Sequence, residues 1–251
     1  MYWFQILFYL RQRISFRLHF YNRQRYDFNY ILSEAIRGIA IRRWIRGENL
    51  GAFTINFSEI DKDSGFPTFP FLEASKQMAQ GIGYAGEGDV LTAALVGALL
   101  SVYPETSFVE MFCPDWKGNR IFISHMGEMN INLVSVKPKL IEKDLLFLDV
   151  GNPVVAFGKF KPGEAVFVNV APSSKNTYRL IVSSVTMMDT KGEDKMVDTI
   201  RGWFIPKMSI EDFLAEFSRA GGTHHSALVY GDVADEIISF GKMMGWGIVK
   251  I

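Results

Sequence analysis

The chain has 251 residues, 48% hydrophobic and 22% charged, with 27 basic and 27 acidic side chains and no formal net charge. That length suits one large domain or two modest ones, and the balanced charge offers no global basic field for nucleic acid or an anionic membrane. Cys113 is the single cysteine, which excludes an intramolecular disulfide and fits a reducing, cytoplasmic setting.

Residues 1–26 stand apart. MYWFQILFYL is apolar and aromatic, and residues 11–26 then carry five arginines and no acid. The apolar run is too short to span a bilayer. A secretory signal would place its positive charge first and follow with small residues, and neither feature is present. The segment reads as an atypical basic leader that is non-native to the fold. An interfacial basic segment is the second reading. No spanning segment is predicted elsewhere.

From Asp27 the pattern changes. Ile31, Ile36, Ile39, Ala40, Trp44 and Ile45 recur at helical spacing, predicting a helix over 27–47. AFTINF (52–57) predicts a strand, DKDSGFPTFP (61–70) a loop and FLEASKQMAQ (71–80) a helix. Asp89 is the expected cap of VLTAALVGALLSVY (90–103), a helix apolar on most sides and therefore buried. After Pro104 short strands follow one another: SFVEMF (107–112), IFISHM (121–126), NLVSV (132–136), LLFLDV (145–150), VVAFGKF (154–160), AVFVNVA (165–171) and YRLIVSSVTMM (178–188). The end reverts to helix 209–220, stopped by Gly221–Gly222, strand 226–231, helix 233–245 and strand 246–251. The fold class is α+β. A remnant of an α/β domain (27–103) precedes an antiparallel β-barrel domain (104–251) with a terminal α/β segment.

GIGYAGEGDV (81–90) contains G-x-G-x-x-G at Gly81, Gly83 and Gly86. A dinucleotide loop needs a strand before the first glycine and a helix opening at the last. Here a helix is predicted before it, and the next helix waits until after Asp89. The glycines instead let the backbone turn and present Glu87 near a helix N-terminus, where an ionised carboxylate is favoured. Such a carboxylate invites a cation. The candidate partners are Glu110 in TSFVEMF, His125 in IFISHM, and His224–His225 in GGTHHS, with His19 in the leader. Each alone has an ordinary explanation: a structural strand histidine, a solvent-facing glutamate, a loop.

Taken together and in order, YAGEGD, TSFVEMF, ISHMGE and GGTHHS resemble the L-arabinose isomerase / L-fucose isomerase superfamily, closest to the arabinose branch. The likeness runs from about residue 27 to about residue 230 and includes GAFTINFSEI and GYAGEGDVLTAAL. The resemblance implies one divalent ion, most often Mn²⁺, held by Glu87, Glu110, His125 and His225. Two carboxylates and two imidazoles suit that ion, with Co²⁺, Mg²⁺ and Fe²⁺ as competitors. Ligands about 2.1 Å from one ion lie no more than about 4.3 Å apart, a strict demand on distant residues.

The resemblance further implies an aldose–ketose isomerase. One of Glu87 and Glu110 moves a proton from C2 to C1 through a cis-enediol, and the other handles the O1/O2 proton. His224 and Glu128 orient ligands or touch substrate hydroxyls, and Phe53 and Phe57 form an apolar wall or pack in the core. The family's enzymes are about twice this length, with further α/β domains and a pocket completed by a neighbouring subunit. A homo-oligomer, or N-terminal domains supplied in trans, is therefore the expected partner of this chain besides a sugar. Val90–Leu91 replaces the Trp–Lys usual after GEGD, and FCPDWKGN also departs, which leaves the sugar open. Competing readings are an inactive metal- or carbohydrate-binding remnant and a different metalloenzyme with the same ligands.

Overall fold

The computed structural model describes residues 28–251 except 62, 65, 67, 146–149, 175–176 and 190–198, with side chains from Glu34 onward. The leader 1–26, His19 and most of the LLFLDV segment lie outside the described residues. Helix α1 (Phe28–Gly47) leads to strand β1 (Ala52–Thr54), and helix α2 (Phe71–Met78) leads to strand β2 (Gly83–Ala85). The two strands are parallel, in register Ala52↔Gly83, Phe53↔Tyr84 and Thr54↔Ala85. Helix α3 (Val90–Leu100) packs onto them, capped by Asp89, whose side chain accepts from the Thr92 N–H. The approach is close because Gly83 faces Gly97. A Cβ on Gly83 would fall 2.3 Å from the Gly97 nitrogen and 2.5 Å from the Ala93 oxygen.

Strands β3 (Thr106–Asp115) and β4 (Arg120–His125) form a hairpin. A small separate pair follows, β5 (Lys139–Glu142) with β6 (Val154–Phe157). Then come β7 (Gly163–Pro172), β8 (Tyr178–Met187), β9 (Ile200–Pro206), α4 (Ile210–Arg219), β10 (His225–Tyr230), α5 (Ala234–Met243) and β11 (Gly247–Lys250). Antiparallel pairings run β8–β7–β10–β3–β4–β9 and return from β9 to β8, so the sheet is ring-like. Parallel β11 shares one edge of β8 with β9: β11 takes Arg179–Val182 and β9 takes Val185–Met187. The sequence predicts an antiparallel barrel; the observed element is this ring-like sheet, made mixed by β11.

Strand alternation explains the core. Val166, Val168 and Val170 of β7, with Ala227 and Val229 of β10, join a cluster that includes Leu95 and Val96 of α3 and Ile237 of α5. The intervening Ala165, Phe167 and Leu228 join a second cluster with Phe213 and Phe217 of α4. Both sheet faces are covered, which is why AVFVNVA is apolar almost throughout. Residues Glu34–Ile251 group as one compact unit. Among the described residues no helix is long and apolar enough to cross a membrane.

The structure departs from the sequence reading in places with local causes. NLVSV is not a strand. Asn130 accepts from the Asn132 N–H and turns Ile131–Leu133 into a 3-10 helix. AFTINF is a strand only to Thr54, because Asn56 caps a second 3-10 turn at Phe57–Glu59. Strands β2, β5 and β9 have no counterpart in the sequence reading. In β9, Gly202 interrupts the pattern, and a Cβ there would meet the Met187 side chain at 2.7 Å.

The Gly83–Gly97 approach generates a test of the packing. Gly83→Ala is expected to lower unfolding free energy by roughly 1–3 kcal/mol or more, since backbone cannot move aside. Gly51→Ala meets nothing within 4 Å and is expected to stay within about 0.5 kcal/mol of the parent in the same denaturant titration. Equal stability of the two variants would contradict the contact.

Candidate metal centre

The β3–β10 ladder sets Glu110 directly opposite His225. Alternation places both on the face that carries Phe108, Ala227 and Val229. A β-bulge between Met111 and Cys113 disturbs the ladder immediately after Glu110, a common device beside functional sites. His125 ends β4, and its ring centroid lies 5.6 Å from that of His225. Phe108 meets both imidazoles edge-on, at 4.7 Å and 5.0 Å, and limits their rotation.

Each imidazole is aimed by a carboxylate on its Nδ1. His225 Nδ1 is 3.0 Å from Asp89 Oδ2, across 136 positions of sequence. His125 Nδ1 is 2.7 Å from Glu128 Oε2. Glu128 also accepts from the Tyr84 hydroxyl at 3.0 Å and the Gly127 N–H at 2.9 Å. With Nδ1 donating, the Nε2 of each ring carries a lone pair. Both Nε2 atoms are buried and have no hydrogen-bond partner. Leaving a buried polar atom so costs about 1–3 kcal/mol.

The charges agree with the geometry. Burial alone would lower the His125 pKa, yet Glu128, with Glu110 and Glu87 beyond it, outweighs burial and holds it above the ordinary histidine value. The surrounding carboxylates therefore favour positive charge at this position, carried either by a proton or by a cation on the Nε2 lone pair. Burial pushes the Glu110 carboxyl above its usual range, opposed by His125, His224 and His225. Asp89 moves the other way. Burial disfavours its ionisation, but hydrogen bonds from His225 and Thr92 win and lower its pKa.

The four residues singled out as ligands do not close into one group. Donor atoms of Glu110, His125 and His225 lie within 4.8 Å of one another, and those of Glu87, His224 and His225 form a second such group. Glu110 Oε2 is 3.8 Å from His125 Nε2, and Glu87 Oε2 is 3.8 Å from His225 Nε2. His224 Nε2 is 2.8 Å from Glu110 Oε1. Glu128 is fully buried, with one oxygen on His125 Nδ1 and the other accepting from Tyr84. Phe53 is a core residue against Tyr84, and Phe57 packs on Phe69 and Phe71.

Asp89 and Tyr84 hold the site together but are absent from the sequence-predicted set. Gly86 also serves the site, since a Cβ there would fall 2.7 Å from His125 Cε1. Glu87 itself has φ +59, a left-handed backbone rare for a glutamate. Two orphaned imidazole nitrogens with carboxylates beside them fit a borderline-hard divalent cation such as Mn²⁺.

Two outcomes follow. Asn at position 89 can keep its oxygen toward Thr92 and turn its NH₂ toward His225 Nδ1, which drives the His225 proton onto Nε2. Asp89→Asn is therefore expected to retain stability within about 0.5 kcal/mol while losing about 10–100-fold in Mn²⁺ affinity by calorimetry. Unchanged affinity would refute the orienting role. Glu87→Gly relieves the left-handed strain of about 1–2 kcal/mol against glycine's extra chain entropy. It should melt above the parent without metal and bind Mn²⁺ more weakly; a lower melting point would refute the strain.

Residues 105–247 match the L-arabinose isomerase C-terminal domain, and residues 13–103 match the L-arabinose isomerase central domain. The latter match begins inside the segment set apart as a leader. The L-arabinose isomerase of Oceanobacillus iheyensis is 28% identical over 241 residues, covering 90% of this chain and 50% of that protein. L-arabinose isomerase 2 of Bacillus licheniformis is 30% identical over 217 residues, covering 85% and 45%. The L-arabinose isomerase of Cellvibrio japonicus is 27% identical over 232 residues, covering 90% and 45%. The chain spans about half the length of these curated relatives. With both domain matches joined end to end along most of its length, the chain belongs to the L-arabinose isomerase family.

Proposed function

We propose that this chain carries the catalytic portion of a metal-dependent aldose–ketose isomerase that works by proton transfer through a cis-enediol. The observation that carries the reading is the pair of buried, unpartnered imidazole nitrogens with Glu110 and Glu87 beside them. Glu87, Glu110, His125 and His225 would hold one divalent ion, with Mn²⁺ favoured by the donor set. When bound, the ion supplies a Lewis acid for the carbonyl oxygen of the opened sugar.

The chain's own groups supply the remainder. Asp89 and Glu128 fix the two imidazoles so that the donors are set before substrate arrives. Glu110, half-buried and with its pKa raised by burial, suits a carboxyl that accepts and returns a proton. Glu87 and Glu110 divide the two proton roles. One takes the proton from C2 and delivers it to C1, and the other manages the hydroxyl proton. The left-handed turn at Glu87 leaves its carboxylate partly exposed, on the side open to a sugar.

In this reading residues 27–103 are the C-terminal part of a central α/β domain and 104–251 a C-terminal β-barrel domain, in a cytoplasmic enzyme. The partner is a second copy or further α/β domains in trans. Exposed Ile36 and Trp44, beside an apolar groove of about 460 Å³ lined by Ile41, Trp44, Phe53 and Phe66, support a covered face there. An inactive metal- or carbohydrate-binding remnant that keeps the cation site is the second reading.

Glu110→Gln keeps an oxygen donor but loses the base. It is expected to retain measurable Mn²⁺ binding while ketose formation from L-arabinose falls at least about 100-fold. Parent-like turnover in this variant would remove Glu110 from the chemistry. A parent chain that binds Mn²⁺ and sugar without forming ketose would establish the remnant reading.

A further inference from the structure

We infer that Glu87, His224 and His225 form an outer cation station that loads the deeper Glu110–His125–His225 group, with His224 as its transient ligand. The inference rests on the metal-dependent reading above and extends it to how the cation enters.

One atom is common to both groups. His225 Nδ1 is taken by Asp89, and His225 Nε2 is buried without a partner. That single lone pair belongs to both donor groups, each of which spans no more than 4.8 Å. One lone pair serves one cation at a time. The two groups are therefore successive positions of one ion, not two sites filled together.

Burial sets their order. The side chains of Glu87 and His224 are 46% and 62% exposed, whereas that of His125 is fully buried. An ion from solvent meets the outer group first. His224 also links the two, because its Nε2 lies 2.8 Å from Glu110 Oε1. A cation that draws His224 away frees the carboxylate needed at the deeper position. Glu87 and His225 then stay engaged while His224 is exchanged for Glu110 and His125. Exchange in parts spares the ion the cost of entering a buried pocket with its charge uncompensated.

The test follows Co²⁺ loading of the full chain by stopped-flow absorbance and its release by a chelator chase. The parent is compared with His224→Ala and His224→Gln. Glutamine keeps a donor for Glu110 but is a poor metal ligand, so it separates the two roles of His224. The expected result is that loading and release both slow by about tenfold in both variants, with the equilibrium constant within about threefold of the parent. Unchanged rates overturn the station, and so does full recovery in His224→Gln, which would reduce His224 to holding Glu110. Weaker affinity with faster release would make His224 a permanent ligand and overturn it as well. If the parent binds neither Co²⁺ nor Mn²⁺, the metal-dependent reading itself falls, and the station with it.

Discussion

Two imidazole nitrogens, buried and without hydrogen-bond partners, are the constraint around which the rest of this protein is arranged. Packed interiors tolerate few such atoms, because each costs about as much as a hydrogen bond to charge-bearing or polar groups would contribute. Here the cost is structured. Each ring is held at Nδ1 by a carboxylate, so its free nitrogen has a fixed direction and a fixed tautomer. A relaxed pocket would let the rings rotate until each nitrogen found a donor. Phe108 beneath both rings and the Gly86 backbone against His125 deny that rotation.

The scaffold brings the pieces together through rigid elements. Glu110 and His225 need no loop to meet, because they are cross-strand neighbours in one antiparallel ladder. His125 enters from the next strand of the same ring. Asp89 arrives with helix α3, and its position depends on how close that helix lies to β2. Gly83 against Gly97 sets that spacing. The cap of α3 and the orientation of His225 thus share one residue. Thr92 and His225 both donate to Asp89, and the helix end is tied to the ladder. A site on strands and a capped helix is placed more tightly than one on loops.

Much of this was legible in the residues, and what was not has physical causes. Helices α1 to α5 follow from apolar spacing and from the Asp89 cap and the Gly221–Gly222 stop, all of which act locally. Strands β4, β7, β8, β10 and the first half of β3 were legible because they are largely buried on both faces and read as apolar runs. Strand β2 was not, since three residues, Gly83, Tyr84 and Ala85, are too few to carry a periodicity and are strand only through pairing with β1. NLVSV is strand-like in composition, but Asn130 satisfies the backbone differently. Glu110, His125 and His225 were legible as candidate ligands. Their orienting partners were less so, because Tyr84 and Asp89 have full local explanations as core and cap, and only the tertiary fold reveals their second bonds. The division of the donors into two overlapping groups depends on side-chain position and leaves no trace in spacing.

Glu87 is held at a cost to the backbone. It sits between Gly86 and Gly88, in a left-handed conformation that glycine would adopt at less cost. Its neighbours do not demand a glutamate for packing, since its side chain is about half exposed. A strained, exposed, non-glycine residue in a glycine-rich turn has no stabilising rationale in the fold. What the strain secures is direction: the carboxylate stays within 3.8 Å of the His225 lone pair while facing outward. Backbone strain of this kind clusters at functional sites. Glu110, His125 and His225 are held by packing and ladder pairing, and Glu87 by a backbone that gives up stability to keep a carboxylate beside the His225 nitrogen.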